Sequence, residues 1–129
     1  MATEFKVIYK ASAATDTVPN TTNTNNDIYK PAANTDTVVI GLLLANKLGE
    51  SIVADVAVVQ NTDGSGAGVD VYLVKGAQIP VGSALEVISG KIVLANRDGS
   101  TDAKGDVLQV RCSTASALDV TLSILENTP

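Results

Sequence analysis

Three aspartates, Asp98, Asp102 and Asp106, recur every fourth residue in the segment NRDGSTDAKGD. Closely spaced carboxylates of this kind are what an oxygen-ligated Ca²⁺ or Mg²⁺ site needs. With Asp98 as first ligand, however, the glycine position of the twelve-residue calcium loop holds Ala103 and the bidentate acid position holds Gln109. The segment therefore reads as a polar loop. The run Gly64-Ser65-Gly66-Ala67-Gly68 has the glycines of a phosphate-binding loop, but such a loop must open a helix and none follows. It reads as a hairpin tip. Cys112 is the only cysteine and histidine is absent, so a thiol nucleophile has no imidazole base and a zinc site has too few ligands. In the apolar register of a strand, Cys112 is expected to be a small buried hydrophobe. Glu4, Glu50, Glu86 and Glu126 are acids of the type used in glycoside hydrolysis, yet nothing in the sequence brings two of them into a cleft. No catalytic residue, cofactor site or metal site is expected, and the chain reads as a non-enzyme.

The charge balance also narrows the partners. Nine basic residues are scattered through a chain of net charge −5, whereas nucleic-acid binding depends on clustered Lys and Arg. No nucleic acid is expected. Nor is a membrane, because no stretch approaches about 18 consecutive apolar residues. The start, Met-Ala-Thr-Glu-Phe-Lys, lacks the basic-then-apolar layout of a signal peptide, so the chain is expected to begin in a cytoplasm and stay soluble. The aromatic inventory is Phe5, Tyr9, Tyr29 and Tyr72 without Trp, a poor set for stacking sugars.

Any surface must be positioned by strands. The sequence is 45% hydrophobic but only 3% aromatic, so its core must be built from Val, Ile, Leu and Ala, and the β-branched members favour sheet. Residues 4–9 place Phe5, Val7 and Tyr9 on one face of a first strand. The most apolar run, Thr37 to Asn46, puts Val38, Ile40, Leu42 and Leu44 on one side and Val39, Leu43 and Ala45 on the other. It is therefore expected to be central and covered on both faces, by a second layer, by its own chain or by another subunit. Further strands are expected over 51–60 and 70–75, and over 85–88 and 91–95 as a hairpin about Ser89-Gly90. Pro80 marks an edge or corner. Near the end, Leu108, Val110 and Cys112 and then Leu118, Val120, Leu122 and Ile124 alternate strictly with polar residues. The expected fold is all-β, an antiparallel β-sandwich of about eight short strands.

Between the first two strands lies TDTVPNTTNTNN, in which nine of twelve residues are Thr or Asn and Val18 is the only aliphatic. Two readings stay open: a solvated loop, or an N-terminal extended polar arm that orders by lying on another surface. On the second, Thr15, Thr17, Val18, Pro19, Asn20, Thr21, Thr22, Asn23, Thr24, Asn25 and Asn26 form an interface with a neighbour and are mobile in the free protein. Val39 and Leu43, from the second face of the apolar run, join them as expected interface residues. The chain divides into residues 1–26, first strand and arm, and residues 27–129, the sandwich.

Residues 27 to 126 carry a succession of landmarks. They are Ile28-Tyr29-Lys30-Pro31-Ala32 before Thr37 to Asn46, then Val71-Tyr72-Leu73-Val74, Ile79-Pro80-Val81-Gly82, Lys91-Ile92-Val93-Leu94, and Ser113-Thr114-Ala115-Ser116 before Leu118 to Glu126. This pattern resembles small virion structural proteins of tailed bacteriophages, including phages of cyanobacteria. The resemblance implies a β-sandwich located in the virion, a capsid cement or decoration protein that bridges subunits. Its implied partners are the major capsid protein or other virion proteins, and copies of itself, with a trimer at a three-fold position. A neck or tail component, or a host-glycan adhesion module using the loops Asn61 to Gly68 and Asn96 to Gly105, is the alternative.

Overall fold

Alternating aliphatic residues on extended chain give each sheet one apolar face, and such a face must be buried against a second layer. A computed structural model describes residues 2–21, 24–60, 69–88, 91–96 and 105–128. Among them run the strands β1 (Ala2–Lys10), β2 (Asp27–Tyr29), β3 (Thr35–Asn46), β4 (Ile52–Val59), β5 (Asp70–Ile79), β6 (Ala84–Glu86), β7 (Ile92–Asn96), β8 (Val107–Cys112) and β9 (Leu118–Thr128). They form two antiparallel sheets packed as a sandwich. The five-stranded sheet runs β1-β9-β3, with β6 and β7 both on the far side of β3, and the four-stranded sheet runs β2-β8-β4-β5.

The core is the aliphatic layer between them. Leu42 and Leu44 of β3 and Leu118, Val120, Leu122 and Ile124 of β9 meet Ile52, Ala54 and Val56 of β4 and Leu108, Val110 and Cys112 of β8, each at most 1% exposed. The strict alternation of β8 and β9 is thus inward-facing as expected, and Cys112 is a buried, free thiol.

In β3 the expected faces are wrong in one half. Thr35, Thr37 and Val39 point inward, then the register with β9 shifts between Val39 and Gly41, and Leu42, Leu44 and Asn46 point inward instead. A bulge inserts one unpaired residue and so switches the phase of everything after it. Val38 and Ile40 therefore do not share the inward face of Leu42 and Leu44. Of the second expected face, Val39 is buried in the core, Ala45 is half-buried and Leu43 is exposed.

The strands that flank Ser89-Gly90 do not form the expected hairpin ladder. Those two residues lie outside the described ones, but β6 and β7 do not pair with each other: β6 pairs Leu43–Ala45 and β7 pairs Thr35–Val39, end to end along one side of β3. The gap between them faces the stretch where β3 changes phase, so tertiary pairing overrides the local turn signal. Pro80 directly follows β5, an edge strand, in agreement with its expected corner position. At that corner the buried side-chain amide of Asn46 donates to the carbonyls of Glu50 (2.9 Å) and Ile79 (3.0 Å), tying the β3–β4 turn to the end of β5.

Leu122→Asp should unfold or aggregate the protein. Leu122 is wholly buried with no cation beside it among the core residues, and an unpaired buried charge costs several kcal/mol, comparable to the total stability of a small domain. Thermal melting followed by circular dichroism checks this; a soluble variant with unchanged Tm would mean the inward face is misassigned.

Candidate functional site

Of the three aspartates of the acidic loop, only Asp106 is among the described residues. Asp98 and Asp102 lie outside them, and Asp106 is buried with its carboxylate accepting the Ala95 N–H at 3.1 Å while its own amide donates to the Ala95 carbonyl. It clasps the base of the loop. Among the described residues no three acidic or cysteine side chains are gathered to hold a metal. The Gly64 to Gly68 tip and the loop Asn61 to Gly68 lie outside the described residues, as do 97–104. Two shallow open grooves, one by Asn20 and Gln109 and one by Tyr9 and Asp119, measure about 210 and 190 Å³. Both fall below the roughly 300 Å³ where small-molecule sites begin.

The described part of the Thr/Asn segment lies against its own chain, unlike the expected arm that reaches a neighbour. Its ordering is met inside the chain. β2 is only three residues long, so β8 has amides beyond it that need acceptors. The segment supplies them: Cys112 N–H donates to the Ala14 carbonyl (3.0 Å) and Val110 N–H to the Asn26 carbonyl (3.1 Å). Between those points it crosses the outer face of the four-stranded sheet as a strap. Gln109 accepts from the Asn20 amide (2.8 Å) and donates to the Asn20 carbonyl (2.7 Å). Arg111 donates to the Thr15 carbonyl (3.0 Å), and the Tyr72 hydroxyl to the Val18 carbonyl (2.6 Å). Val18 is fully buried outside the main core, as is Ala57, the cross-strand neighbour of Gln109. Asn26 is buried too, donating to the Asp16 and Val110 carbonyls. Pro19 and Asn20 are half-buried, while Thr15, Thr17, Thr21, Thr24 and Asn25 are exposed. Thr22 and Asn23 lie outside the described residues.

A polar clamp closes one end of the sandwich. The register sets Glu4 of β1 opposite Glu126 of β9, and Lys6 stands between them, 3.7 Å from Glu4 and 2.8 Å from Glu126. The Tyr29 hydroxyl, from β2 in the other sheet, donates to Glu126 and lies 2.8 Å from the Thr37 hydroxyl. So two of the acids do meet, but as ligands of one ammonium group. Burial pushes the Tyr29 phenol well above its usual range, reinforced by the Glu126 carboxylate. Burial also pushes Glu126 upward, yet the hydrogen bonds from Lys6 and Tyr29 and the Lys6 charge outweigh it and hold the carboxyl below its usual value. These contacts tie β1, β9 and β2 together across the two sheets.

The remaining surface is the outer face of the five-stranded sheet. Directly opposed residues of an antiparallel pair share a face, so the registers define rows across it. Phe5, Leu125, Val38 and Val93 form one row over β1, β9, β3 and β7. Val7 continues to Ser123 and Gly41, and Tyr9 to Thr121, Leu43 and Glu86. Phe5 is 75% exposed, Tyr9 74%, Val93 57%, Val7 49% and Leu43 42%. Thr3, Asn127 and Asp36 bound the face at one end and the Lys47–Asp119 ion pair (2.8 Å) at the other. An apolar centre with a polar rim is the anatomy of a protein interface.

Of the two core-strand residues expected at an interface, Leu43 lies on this face. Val39 does not: it is fully exposed to the core and 0% exposed to solvent, because the bulge places it in the inward phase. Phe5, Val7 and Tyr9 shared a face in the sequence, but nothing local said that the face stays uncovered. Val38, Val93 and Leu125 were not distinguishable from core aliphatics. No protein-family model, no curated protein and no solved structure matches the chain.

Val18→Ala should lower stability by about 2 kcal/mol, the loss of two buried methyl groups plus a small cavity, and deleting 15–26 should lower the Tm further; urea unfolding measures the first and a melt the second. An unchanged Tm on deletion would mean the strap contributes nothing. For Glu126, whose folded pKa is depressed, the clamp's contribution is complete above the unfolded glutamate value near pH 4.3 and is lost as pH falls through the lower folded value. Glu126→Gln should therefore be less stable than the parent at pH 7, with the gap closing in acid, as read by urea titrations across that range.

Proposed function

We propose that the chain is a structural protein of a tailed-bacteriophage virion, a capsid cement or decoration protein that stabilises the shell by bridging subunits. The observation that carries this reading is the uncovered apolar face of the five-stranded sheet. Residues 15–21 and 24–26 lie across part of the other sheet, while Phe5, Tyr9 and Val93 face solvent. Burial of such a face against a capsid subunit excludes water from aliphatic and aromatic area and contributes in proportion to the area removed. Repetition over a shell multiplies a modest contact, since binding to the assembled state alone stabilises it by mass action. The resemblance of residues 27–126 to phage virion proteins points the same way, and the clamp and strap tie β1, β2 and the Thr/Asn segment to the sandwich.

Purified virions test the proposal. Hundreds of copies per particle fit a capsid role, whereas a few to a few tens would place the protein in the neck or tail. Leu43→Asp and Val93→Asp, both on exposed positions, should leave the Tm nearly unchanged and weaken binding to particles stripped of the protein by at least about tenfold each. If both variants bind as the parent does, this face is not the contact. If the protein binds host glycans and ignores capsids, the adhesion reading replaces the proposal.

A further inference from the structure

A β-sandwich has sheet edges as well as faces, and an unpaired edge is a template for another strand unless it is short, bulged, broken or covered. Three of the four edges here are managed in those ways. β2 has only three residues. β5 is bulged twice against β4 and kinked at Gly76, whose φ is +69°. The β6 and β7 edge is broken in the middle. β1 is different. It pairs with β9 through nine successive residues without a register shift, contains neither Gly nor Pro, and among the described residues no strand pairs its outer side.

The residues along that edge are self-complementary. Glu4-Phe5-Lys6-Val7-Ile8-Tyr9-Lys10 has an acid and a base at its two ends, an aromatic residue just inside each, and Val7 at its centre. A second copy running antiparallel about Val7 sets Val7 against Val7, Phe5 against the second copy's Tyr9, and Glu4 against the second copy's Lys10, the last two each made twice by symmetry. Other two-fold registers are poorer. Centring on Lys6 opposes two lysines, and centring on Ile8 opposes Lys6 to Lys10. Centring on Phe5 spends Glu4 on Lys6, which Glu126 already holds at 2.8 Å, and leaves Tyr9 and Lys10 overhanging. A one-residue slip would put the two apolar faces on opposite sides of the joined sheet.

We infer that β1 is a homodimerisation edge: two copies of this chain pair their β1 strands antiparallel about Val7 into one ten-stranded sheet. An isologous two-fold contact of this kind is self-closing, so it satisfies both edges and leaves none to propagate into a fibre. It takes the place of the three-fold arrangement that the family resemblance implies. Phe5, Val7 and Tyr9 of both copies then lie side by side in the middle of one continuous outer face. Main-chain hydrogen bonds supply adhesion and the alternating side chains fix the register, as in other strand additions. The pairing stands on the edge alone and does not depend on the virion role.

Site-directed cross-linking of the full-length chain tests it. The native thiol, Cys112, is fully buried and will not interfere. Opposed Cα atoms in an antiparallel pair lie about 4.5 or 5.5 Å apart, within disulfide range. Val7→Cys should therefore form a disulfide-linked dimer under mild oxidation, while Phe5→Cys, which faces the second copy's Tyr9, should not. In sedimentation the parent should be a dimer, Lys10→Glu should raise its dissociation constant at least about tenfold by setting acid against acid, and Glu4→Lys combined with Lys10→Glu should restore it. A parent that is monomeric or trimeric throughout the micromolar range, cross-linking at Phe5→Cys instead of Val7→Cys, or failure of the double exchange to rescue would overturn the inference. A dimer that leaves stripped capsids unbound would overturn only the virion proposal.

Discussion

The phase change in β3 between Val39 and Gly41 is the constraint on which the rest of the molecule turns. β3 is the strand that holds β9 on one side and β6 and β7 on the other. One inserted residue lets Thr37 and Val39 serve the core at one end and Leu42 and Leu44 serve it at the other. The same residue ejects Ile40 to the outside and separates β7 from β6. Without the shift, either half of β3 would present its buried residues to solvent. The apolar character of both alternations in TVVIGLLLAN is thus explained twice over: each phase is inward for part of the strand, and the outward positions that remain, Val38 and Leu43, belong to an apolar surface of their own.

The two outer faces are treated oppositely. On the four-stranded sheet, Asp55, Ala57 and Gln109 are buried on the side away from the core, and their polar groups are matched by strap, Gly76 and Arg111. Among the described residues every buried side-chain nitrogen and oxygen has a partner. A segment of Thr and Asn can be ordered in this setting because its contacts are main-chain hydrogen bonds to a sheet already fixed by its own core. Those bonds meet a demand that β8 creates. Among the described residues the five-stranded sheet has no such cover, and Phe5, Tyr9, Val93 and Leu43 stand exposed on it. Burying area of this kind against another surface would be favourable.

Much of the architecture could be read from residues. β8 and β9 show because Gln109, Arg111, Asp119, Thr121 and Ser123 punctuate their aliphatics at period two, and Leu108 to Ile124 then fall inward as expected. β3 could not be phased, since its alternations are both apolar and a bulge leaves no local signature beyond Gly41. Ser89-Gly90 carries a good turn signal, but which strand β6 and β7 join is decided by β3, about 40 to 60 residues away in sequence. The strap was opaque for the same reason. Its partners, Tyr72, Gln109 and Arg111, come from two other strands, and no composition rule reports a contact of that range. The apolar face was half-visible: Phe5, Val7 and Tyr9 were seen to share a side, but only the cross-strand registers join them to Leu125, Val38 and Val93.

The placement of β9 between β1 and β3 also constrains how the chain is made. β1 includes the first described residues and β9 the last, and they are direct neighbours, with Ala2 opposite Thr128. Contacts of such sequence separation form slowly, because the entropy of closing the intervening chain must be met before they return anything. On a ribosome the five-stranded sheet cannot assemble until residue 128 has cleared the exit tunnel. Until then β1, with its two exposed aromatics, has no native neighbour. Until that pairing forms, the aromatic first strand is the segment on which a chaperone would act.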